Sequence, residues 1–277
     1  MTIEDLIIYG KKYIHSNEAK MLISFVTGYD TLELLYYLNQ EVEKEKTEKF
    51  KELVRARVNN YPIQYILGDV NFYGYKFNVN SDVLIPRFET EQLVEKVLEF
   101  IDINFENSNR LKVIDLGCGS GVIGITLAKK RKKLDVTCLD ISSRALAVAM
   151  KNSELLGANV NFLQGDMLEN EINKYDIIVS NPPYIKTSEE IEDIVKNNEP
   201  SIALYGGDDG LLYYEKILSK ASNVLNNKFL VAFEIGCTLA EGVSLLAKKY
   251  LNNICIKVIK DLSEKDRIVL IYSDNFN

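Results

Sequence analysis

The chain has 277 residues, of which 47% are hydrophobic, and this suffices for one large domain or a large and a small one. Its formal net charge of -7 argues against a protein that holds nucleic acid mainly through phosphate contacts. The four cysteines are too far apart for a CxxC metal site, so we expect no metal, and the single histidine, His15, argues against histidine-based catalysis. No apolar run reaches the roughly 18 residues of a membrane span, and no signal-peptide pattern is seen, which favours a cytoplasmic protein.

The N-terminal part of the chain carries a helical pattern over roughly 60 residues, because its apolar residues recur at helical spacing from Ile3 onward. The charged run at 41–52 mixes both signs at short spacing, which predicts a solvated helix face. The segment from Asn59 to Pro62 should end this region, since these residue types favour turns.

The pattern changes at residues 69–79, where aromatic residues surround Gly74. Such a run predicts a short β-hairpin, here one that joins two domains. Pro86 then precedes a helical segment at about 89–101. The sequence therefore predicts a helical N-terminal part, a hairpin and a larger C-terminal part.

From residue 111 onward, strand and helix patterns alternate. The helix pattern of residues 122–133 follows the first strand, and the next helix should begin at Ser142 or Ser143 and end at Gly157. This alternation predicts an α/β fold with a doubly wound sheet. Its seven predicted strands lie at residues 111–117, 134–140, 159–166, 174–184, 228–236, 253–261 and 266–273.

A glycine-rich loop, Asp-Leu-Gly-Cys-Gly-Ser-Gly at 115–121, follows the first of these strands. Glycines let the backbone turn tightly and approach a ligand closely, although dinucleotide-binding enzymes carry a similar loop. The carboxylate of Asp115 favours a cofactor with positive charge, such as S-adenosylmethionine with its sulfonium and ammonium groups, over one that brings a pyrophosphate.

Three residues at the ends of the next two strands complete a predicted adenosine site. Asp140 can accept hydrogen bonds from both ribose hydroxyls, which suits an adenosine cofactor without distinguishing between cofactors. Asp166 can reach the adenine amino group, and Met167 can pack on the adenine ring.

The fourth strand ends in Asn181-Pro182-Pro183-Tyr184. An amide or adenine amino nitrogen is a poor nucleophile, and Asn181 and the carbonyl group of Pro182 can each accept one of its N–H bonds. Tyr184 can stack on the planar group, and the two prolines hold the acceptors in place. This predicts direct methyl transfer from the sulfonium to a planar nitrogen, without a strong base.

Several segments together resemble one family, the peptide chain release factor N5-glutamine methyltransferases of the HemK/PrmC type, from about Pro62 to Ile271. Phe88 stands where the family often has proline, and Met167 stands where it commonly has an aromatic residue. The segments are PIQYILG at 62–68, FYGYKFNV at 72–79, LIPRFETEQLVE at 84–95, DLGCGSGVIG at 115–124, NPPY at 181–184, NNEPSIALYGGDDGLLYYEKI at 197–217, FEIG at 233–236 and DLSEKDRIVL at 261–270.

The resemblance implies a fold, a cofactor and a substrate. We expect a seven-stranded class I methyltransferase sheet with its last strand antiparallel, at 83–277, a hairpin linker at 68–82 and a helical substrate-recognition domain at 1–67. The cofactor would be S-adenosylmethionine, and the substrate the glutamine of the Gly-Gly-Gln motif in class I release factors, methylated by a monomer. The implied cofactor contacts are Gly117, Cys118, Gly119, Ser120, Gly121, Asp140, Met167 and Asn181. The implied glutamine contacts are Asn181, Pro182, Pro183 and Tyr184, of which Asn181, Pro182 and Tyr184 are the predicted catalytic groups.

Other functions remain open at this point. An N6-adenine DNA or RNA base methyltransferase could use the same Asn-Pro-Pro-Tyr corner, although such an enzyme usually carries a basic recognition domain. A non-catalytic binding module would not need both Asn181 and Asp140, and a nicotinamide-dependent oxidoreductase would need a proton donor that the sequence does not suggest.

Overall fold

A computed structural model describes residues 1–169 and 171–276. By its contacts the chain forms two compact units. The first contains Met1–Asp69 and Ile191–Asn198, and the second contains Val70–Glu190 and Glu199–Asn277. A segment from the middle of the chain therefore belongs to the N-terminal unit, which the sequence did not suggest. In the described residues no helix is long and apolar enough to cross a membrane.

The first unit is helical, as predicted. His15 caps the start of the second helix, because its ring Nδ1 accepts a hydrogen bond from the backbone N–H of Asn17. The single histidine of the sequence therefore has a structural role. The predicted charged helix begins at Lys44, after the start of the charge run, and ends just before Asn59. The apolar faces meet in a core that includes Leu6, Leu22 and Phe50. The helices are α1 (Ile3–Lys11), α2 (Ser16–Thr27), α3 (Thr31–Tyr36), α4 (Lys44–Val58) and α5 (Ile63–Leu67).

The predicted hairpin is present and consists of β1 (Asp69–Phe72) and β2 (Tyr75–Asn78). Its two-residue turn has positive φ at both Tyr73 and Gly74, the backbone conformation that matches the twist of the strands. The positions of the two domain boundaries next to it stay predictions.

The second unit is built on one seven-stranded sheet of strand order β5-β4-β3-β6-β7-β9-β8. The strands from β3 to β7 pair in parallel, and β9 runs antiparallel to β7 and β8. The predicted sheet with an antiparallel last strand is thus confirmed. The strands are β3 (Leu111–Leu116), β4 (Leu134–Asp140), β5 (Val160–Gln164), β6 (Tyr175–Ser180), β7 (Leu225–Glu234), β8 (Ile254–Lys260) and β9 (Asp266–Ser273).

Helices cover both faces of this sheet, because successive buried side chains of the strands point to opposite sides. Val113 belongs to the apolar cluster of α6, α7 and α8, whereas Ile114 belongs to that of α10 and α11. Ser142 caps α8 and Gly157 ends it, as predicted, while α7 ends three residues before the predicted position. The helices of this unit are α6 (Phe88–Asn104), α7 (Val122–Lys130), α8 (Ser143–Leu156), α10 (Leu212–Val224) and α11 (Ala240–Tyr250), whereas α9 (Asp193–Asn198) lies in the segment that belongs to the first unit.

Candidate active site

A cavity of about 240 Å³ opens at the carboxyl ends of the central parallel strands. Ligands of open α/β sheets bind at this edge. Side chains that line it include apolar ones, such as Leu139 and Ile141. Seven of the predicted site residues also line it, namely Gly117, Gly119, Asp140, Asp166, Met167, Asn181 and Pro183.

The glycine loop turns directly after β3. Gly117, Gly119 and Gly121 all have positive φ, a conformation that side chains disfavour. The backbone N–H groups of Gly117 and Cys118 donate to the carbonyl oxygen of Leu139, at 2.8 and 3.0 Å. The loop is therefore fixed against β4 by its own backbone.

Three predicted cofactor residues of this loop lie outside the cavity lining. Cys118 and Ser120 are buried, and the Ser120 carbonyl oxygen accepts a hydrogen bond from Asn152 Nδ2 at 2.9 Å. A Cβ at Gly121 would lie 2.7 Å from Ile125 Cδ1. These residues shape the loop from behind, so any cofactor contact from them would have to come from the backbone.

Asp140 ends β4 at the cavity and holds the glycine loop. Its Oδ2 accepts the N–H of Gly119 at 2.8 Å, and its Oδ1 accepts the N–H of Ser142 at 2.9 Å. Burial raises the pKa of Asp140, and the two backbone hydrogen bonds act against that shift. Each carboxylate oxygen has a second lone pair, so both can still accept a ligand hydroxyl.

Asp115 is fully buried beneath the loop instead of lining the cavity. Its Oδ2 accepts the N–H of Gly124 at 2.8 Å, whereas its Oδ1 has no hydrogen-bond partner among the described residues. Burial raises the pKa of Asp115 to about 7. Contrary to the prediction, Asp115 therefore does not present a fixed negative charge at the cavity, because its carboxyl lies beneath the loop and burial favours its protonated form.

Asp166 and Met167 lie beside the cavity as expected, but Asp166 has a partner that the sequence did not suggest. Its Oδ2 pairs with Lys216 Nζ, from α10. Met167 is buried, has a positive φ and packs against Gly117, where a Cβ would lie 3.7 Å from Met167 Cε. Both residues thus border the cavity next to the glycine loop.

Asn181 connects the cavity to a buried polar pair. Its Nδ2 donates to Thr90 Oγ1 at 3.3 Å, and Thr90 Oγ1 donates to Glu234 Oε2 at 2.7 Å. Burial raises the pKa of Glu234 to about 7, while Thr90 and the positive charge of Arg267 act to lower it. Neither Thr90 nor Glu234 is among the residues predicted for the site, although a glutamate inside the apolar strand segment 228–236 indicates a buried charge.

The rest of the Asn-Pro-Pro-Tyr corner is held by glycines. Pro182 is buried and lies outside the cavity lining, whereas Pro183 lines it. A Cβ at Gly206 would lie 2.5 Å from the Pro183 carbonyl oxygen, and one at Gly210 would lie 2.6 Å from the Tyr184 carbonyl oxygen. Burial raises the pKa of Tyr184 to about 12, so the phenol stays protonated at neutral pH.

Comparison with known proteins supplies the family. The protein named release factor glutamine methyltransferase in Bacillus subtilis (strain 168) is 40% identical to this chain, over 97% of the chain and 96% of that protein. The protein of the same name in Clostridium acetobutylicum is 39% identical, over 92% of the chain and 90% of that protein. The chain belongs to the release factor glutamine methyltransferase family. Family models described as PrmC N-terminal domain and Methyltransferase small domain match residues 14–68 and 90–198.

The fold of this family member is also found in more distant proteins. The structure of a 16S rRNA N2 G1207 methyltransferase from T. thermophilus, in complex with AdoMet and guanosine, superposes with a TM-score of 0.51. It is 17% identical and covers 74% of this chain and 49% of that chain, so it supports the fold alone.

Two of the segments that carry the resemblance to release factor glutamine methyltransferases, those containing Ile85 and Glu199, contact each other in the second unit. Glu199, in the family segment at 197–217, is buried and accepts hydrogen bonds from the N–H of Ile85 at 3.0 Å and from Arg87 Nη2 at 2.5 Å. Arg267 donates to the carbonyl oxygen of Ile235, at 3.3 Å, and so braces the strand end that carries Glu234. Phe88 takes the first position of α6, where a proline is tolerated because that N–H has no helical partner.

Proposed function

We propose that this protein transfers a methyl group from S-adenosylmethionine to the side-chain amide N5 of the glutamine in the Gly-Gly-Gln motif of class I peptide chain release factors. Its similarity, over most of its length, to proteins named release factor glutamine methyltransferase supports this substrate over a nucleic acid base. The single observation that carries the proposal is the position of Asn181, which lines the cavity while its Nδ2 donates to Thr90.

The cavity residues fit S-adenosylmethionine. Asp140 has acceptor capacity left for two ribose hydroxyls, and Met167 and Ile141 offer apolar surface for an adenine ring. When bound, this cofactor supplies an electrophilic methyl group on a sulfonium and leaves as a neutral thioether.

The Asn-Pro-Pro-Tyr corner performs the protein's part of the chemistry. Asn181 Oδ1 accepts one N–H of the target amide, and the Pro182 carbonyl oxygen accepts the other. Together they orient the nitrogen lone pair along the line of transfer. Tyr184 stacks on the amide plane, and its protonated phenol adds no negative charge there. The nitrogen becomes acidic as it is alkylated, so its proton leaves to water and no strong base is needed.

Mass spectrometry tests this function. The protein is incubated with S-adenosylmethionine and a class I release factor, and the Gly-Gly-Gln peptide is analysed for one added methyl group. We expect methylation of that glutamine, none on DNA or ribosomal RNA in parallel reactions, and loss of the product with Asn181→Ala. Methylation of adenine in either nucleic acid, with an unmodified release factor, would contradict the proposal.

We further propose that residues 1–67 form a recognition domain for the release factor, with 68–82 as linker and 83–277 as the catalytic domain of a monomer. A lone glutamine offers few contacts for selectivity, so the surrounding protein must supply them. Helix α3 supports this assignment, since it leaves Leu32 and Tyr36 76% and 83% exposed.

A point substitution in α3 tests recognition of the release factor and leaves the helical first unit in place. We expect Tyr36→Ala to raise the KM for release factor several-fold, with kcat and cofactor affinity unchanged. Leu262→Ala is the matched control, because Leu262 is also 83% exposed but lies in the second unit. An equal KM for the two variants would argue against recognition by α3.

A further inference from the structure

Thr90 and Glu234 form a buried hydrogen-bonded pair behind Asn181. Thr90 is 3% exposed and lies in the first turn of α6, and Glu234 is 1% exposed and ends β7. Neither residue lines the cavity, and Asn181 is the residue that links them to it. The pair therefore reaches the cavity through the hydrogen bond of Thr90 to Asn181.

The direction of the two hydrogen bonds decides which way the Asn181 amide faces. A hydroxyl group has one proton to donate, and Thr90 donates it to the carboxylate of Glu234. The oxygen of Thr90 then has only lone pairs left for Asn181, which must present its Nδ2. Because the two heteroatoms of an amide point in different directions, Oδ1 of Asn181 faces away from Thr90.

We propose that Thr90 and Glu234 are positioning residues that hold Asn181 with its NH2 group inward and its Oδ1 available to the target amide. The proposal rests on the proposed function, in which Oδ1 accepts an N–H of the glutamine. A flipped Asn181 would present an NH2 group to the NH2 group of the substrate, and two donors cannot bind each other. The hydrogen bonds from Asn181 to Thr90 and from Thr90 to Glu234, called the relay below, thus keep the site matched to a primary amide.

The charge on Glu234 sets the polarity of this relay. A protonated Glu234 can donate to Thr90, which can then donate to Asn181 and favour the flipped amide. The charged and titratable groups that face Glu234 are Arg267, Glu89, Tyr184 and Tyr214, and a hydrogen bond from the Asn181 side chain also acts to lower its pKa. Burial raises the pKa of Glu234 to about 7, so kcat should rise with pH through that value. The Glu234→Gln variant separates this titration from those of its neighbours, because glutamine does not titrate, and its kcat should lack that step.

Three threonine variants test the relay on the full-length protein. Thr90→Val removes the hydroxyl at nearly constant volume, Thr90→Ser keeps it, and Thr126→Val is the matched control. Thr126 is fully buried, and its Oγ1 has no hydrogen-bond partner within the described part of the chain. We expect Thr90→Val to lower kcat roughly 10- to 100-fold, less than the loss of an entire oriented hydrogen-bonding group, with cofactor affinity kept. Thr90→Ser should restore most of kcat, and Thr126→Val should leave it unchanged.

A second measurement reads the amide directly and needs no substrate. In a 15N-labelled sample, the side-chain NH2 signal of Asn181 is identified by its loss in Asn181→Ala. We expect its protons to exchange with water faster in Thr90→Val than in the unmodified protein or in Thr126→Val. Equal exchange rates, or equal kcat in the two valine variants, would overturn the relay. If the unmodified protein does not methylate release factor, the proposed function fails, and the exchange rates alone then decide the relay.

Discussion

Gly206 offers a sharp test of how closely the Asn-Pro-Pro-Tyr corner is held. Its φ is not among the positive ones, so alanine is compatible with its backbone and only the close approach matters. An added Cβ would lie 2.5 Å from the Pro183 carbonyl oxygen and 2.8 Å from Tyr184 Cα, whereas ordinary contacts begin at 3.4 Å. In Gly206→Ala the corner must therefore shift by about 1 Å, since backbone atoms cannot rotate away.

A displacement of this size is expected to lower kcat roughly 100-fold, because reacting groups tolerate little misplacement. The strain should also lower the free energy of unfolding by about 1–3 kcal/mol. Steady-state methylation of release factor and urea denaturation measure the two effects. Gly242→Ala is the control, because its Cβ would meet Leu211 Cδ1 at 2.7 Å, the end of a flexible side chain. Similar kcat values for the two variants would refute the importance of the close approach.

Three further substitutions probe other parts of the site. Asp140→Ala should weaken S-adenosylmethionine binding, measured by calorimetry, roughly 10- to 100-fold, because the ribose hydroxyls of the cofactor lose their hydrogen bonds to the carboxylate. Unchanged affinity would contradict the assignment of Asp140 to the ribose. Glu199→Gln should lower the free energy of unfolding, measured by urea denaturation, by about 1–3 kcal/mol, because it removes the charge that pairs with Arg87. As a check, the same substitution should cost less free energy in a protein that already carries Arg87→Met. Asp115 binds its proton more tightly when folded, with a pKa of about 7 against 3.8, so unfolding free energy falls as pH rises between these values. Asp115→Asn should make that fall smaller and leave the part that Glu234 contributes, since its pKa is also raised to about 7. An equal difference in unfolding free energy between pH 5 and pH 7.5 in the variant and the unmodified protein would contradict this.

The fold could be predicted from the sequence because its signals are local. Apolar runs such as Leu111–Leu116 are typical of buried parallel strands, and caps such as Ser142 and Gly157 mark helix ends. The assignment of residues 191–198 to the helical unit could not be predicted, since it depends on contacts between distant parts of the chain.

The candidate site likewise contains residues that the sequence predicts and residues that it does not. Asp140 and Asn181 follow strands that meet at one sheet edge, so their approach to one cavity follows from topology. The partners of such residues are separated by long stretches of chain, as with Thr90 and Glu234, 144 residues apart. The burial of Asp115 was also missed, because a strand-end carboxylate can turn to either side of the loop that follows it.

Asn152 links two segments that stabilise the site from behind. Its side chain exchanges hydrogen bonds with the backbone N–H and carbonyl groups of Asn78, on the hairpin, at 2.7 and 3.0 Å, and donates to the Ser120 carbonyl oxygen of the glycine loop at 2.9 Å. If the hairpin or the glycine loop separates from the fully buried side chain of Asn152, polar atoms on both sides lose their hydrogen-bond partners. Local opening of the hairpin and of the loop is therefore coupled into one cooperative event, and a ligand that orders the loop protects the hairpin as well.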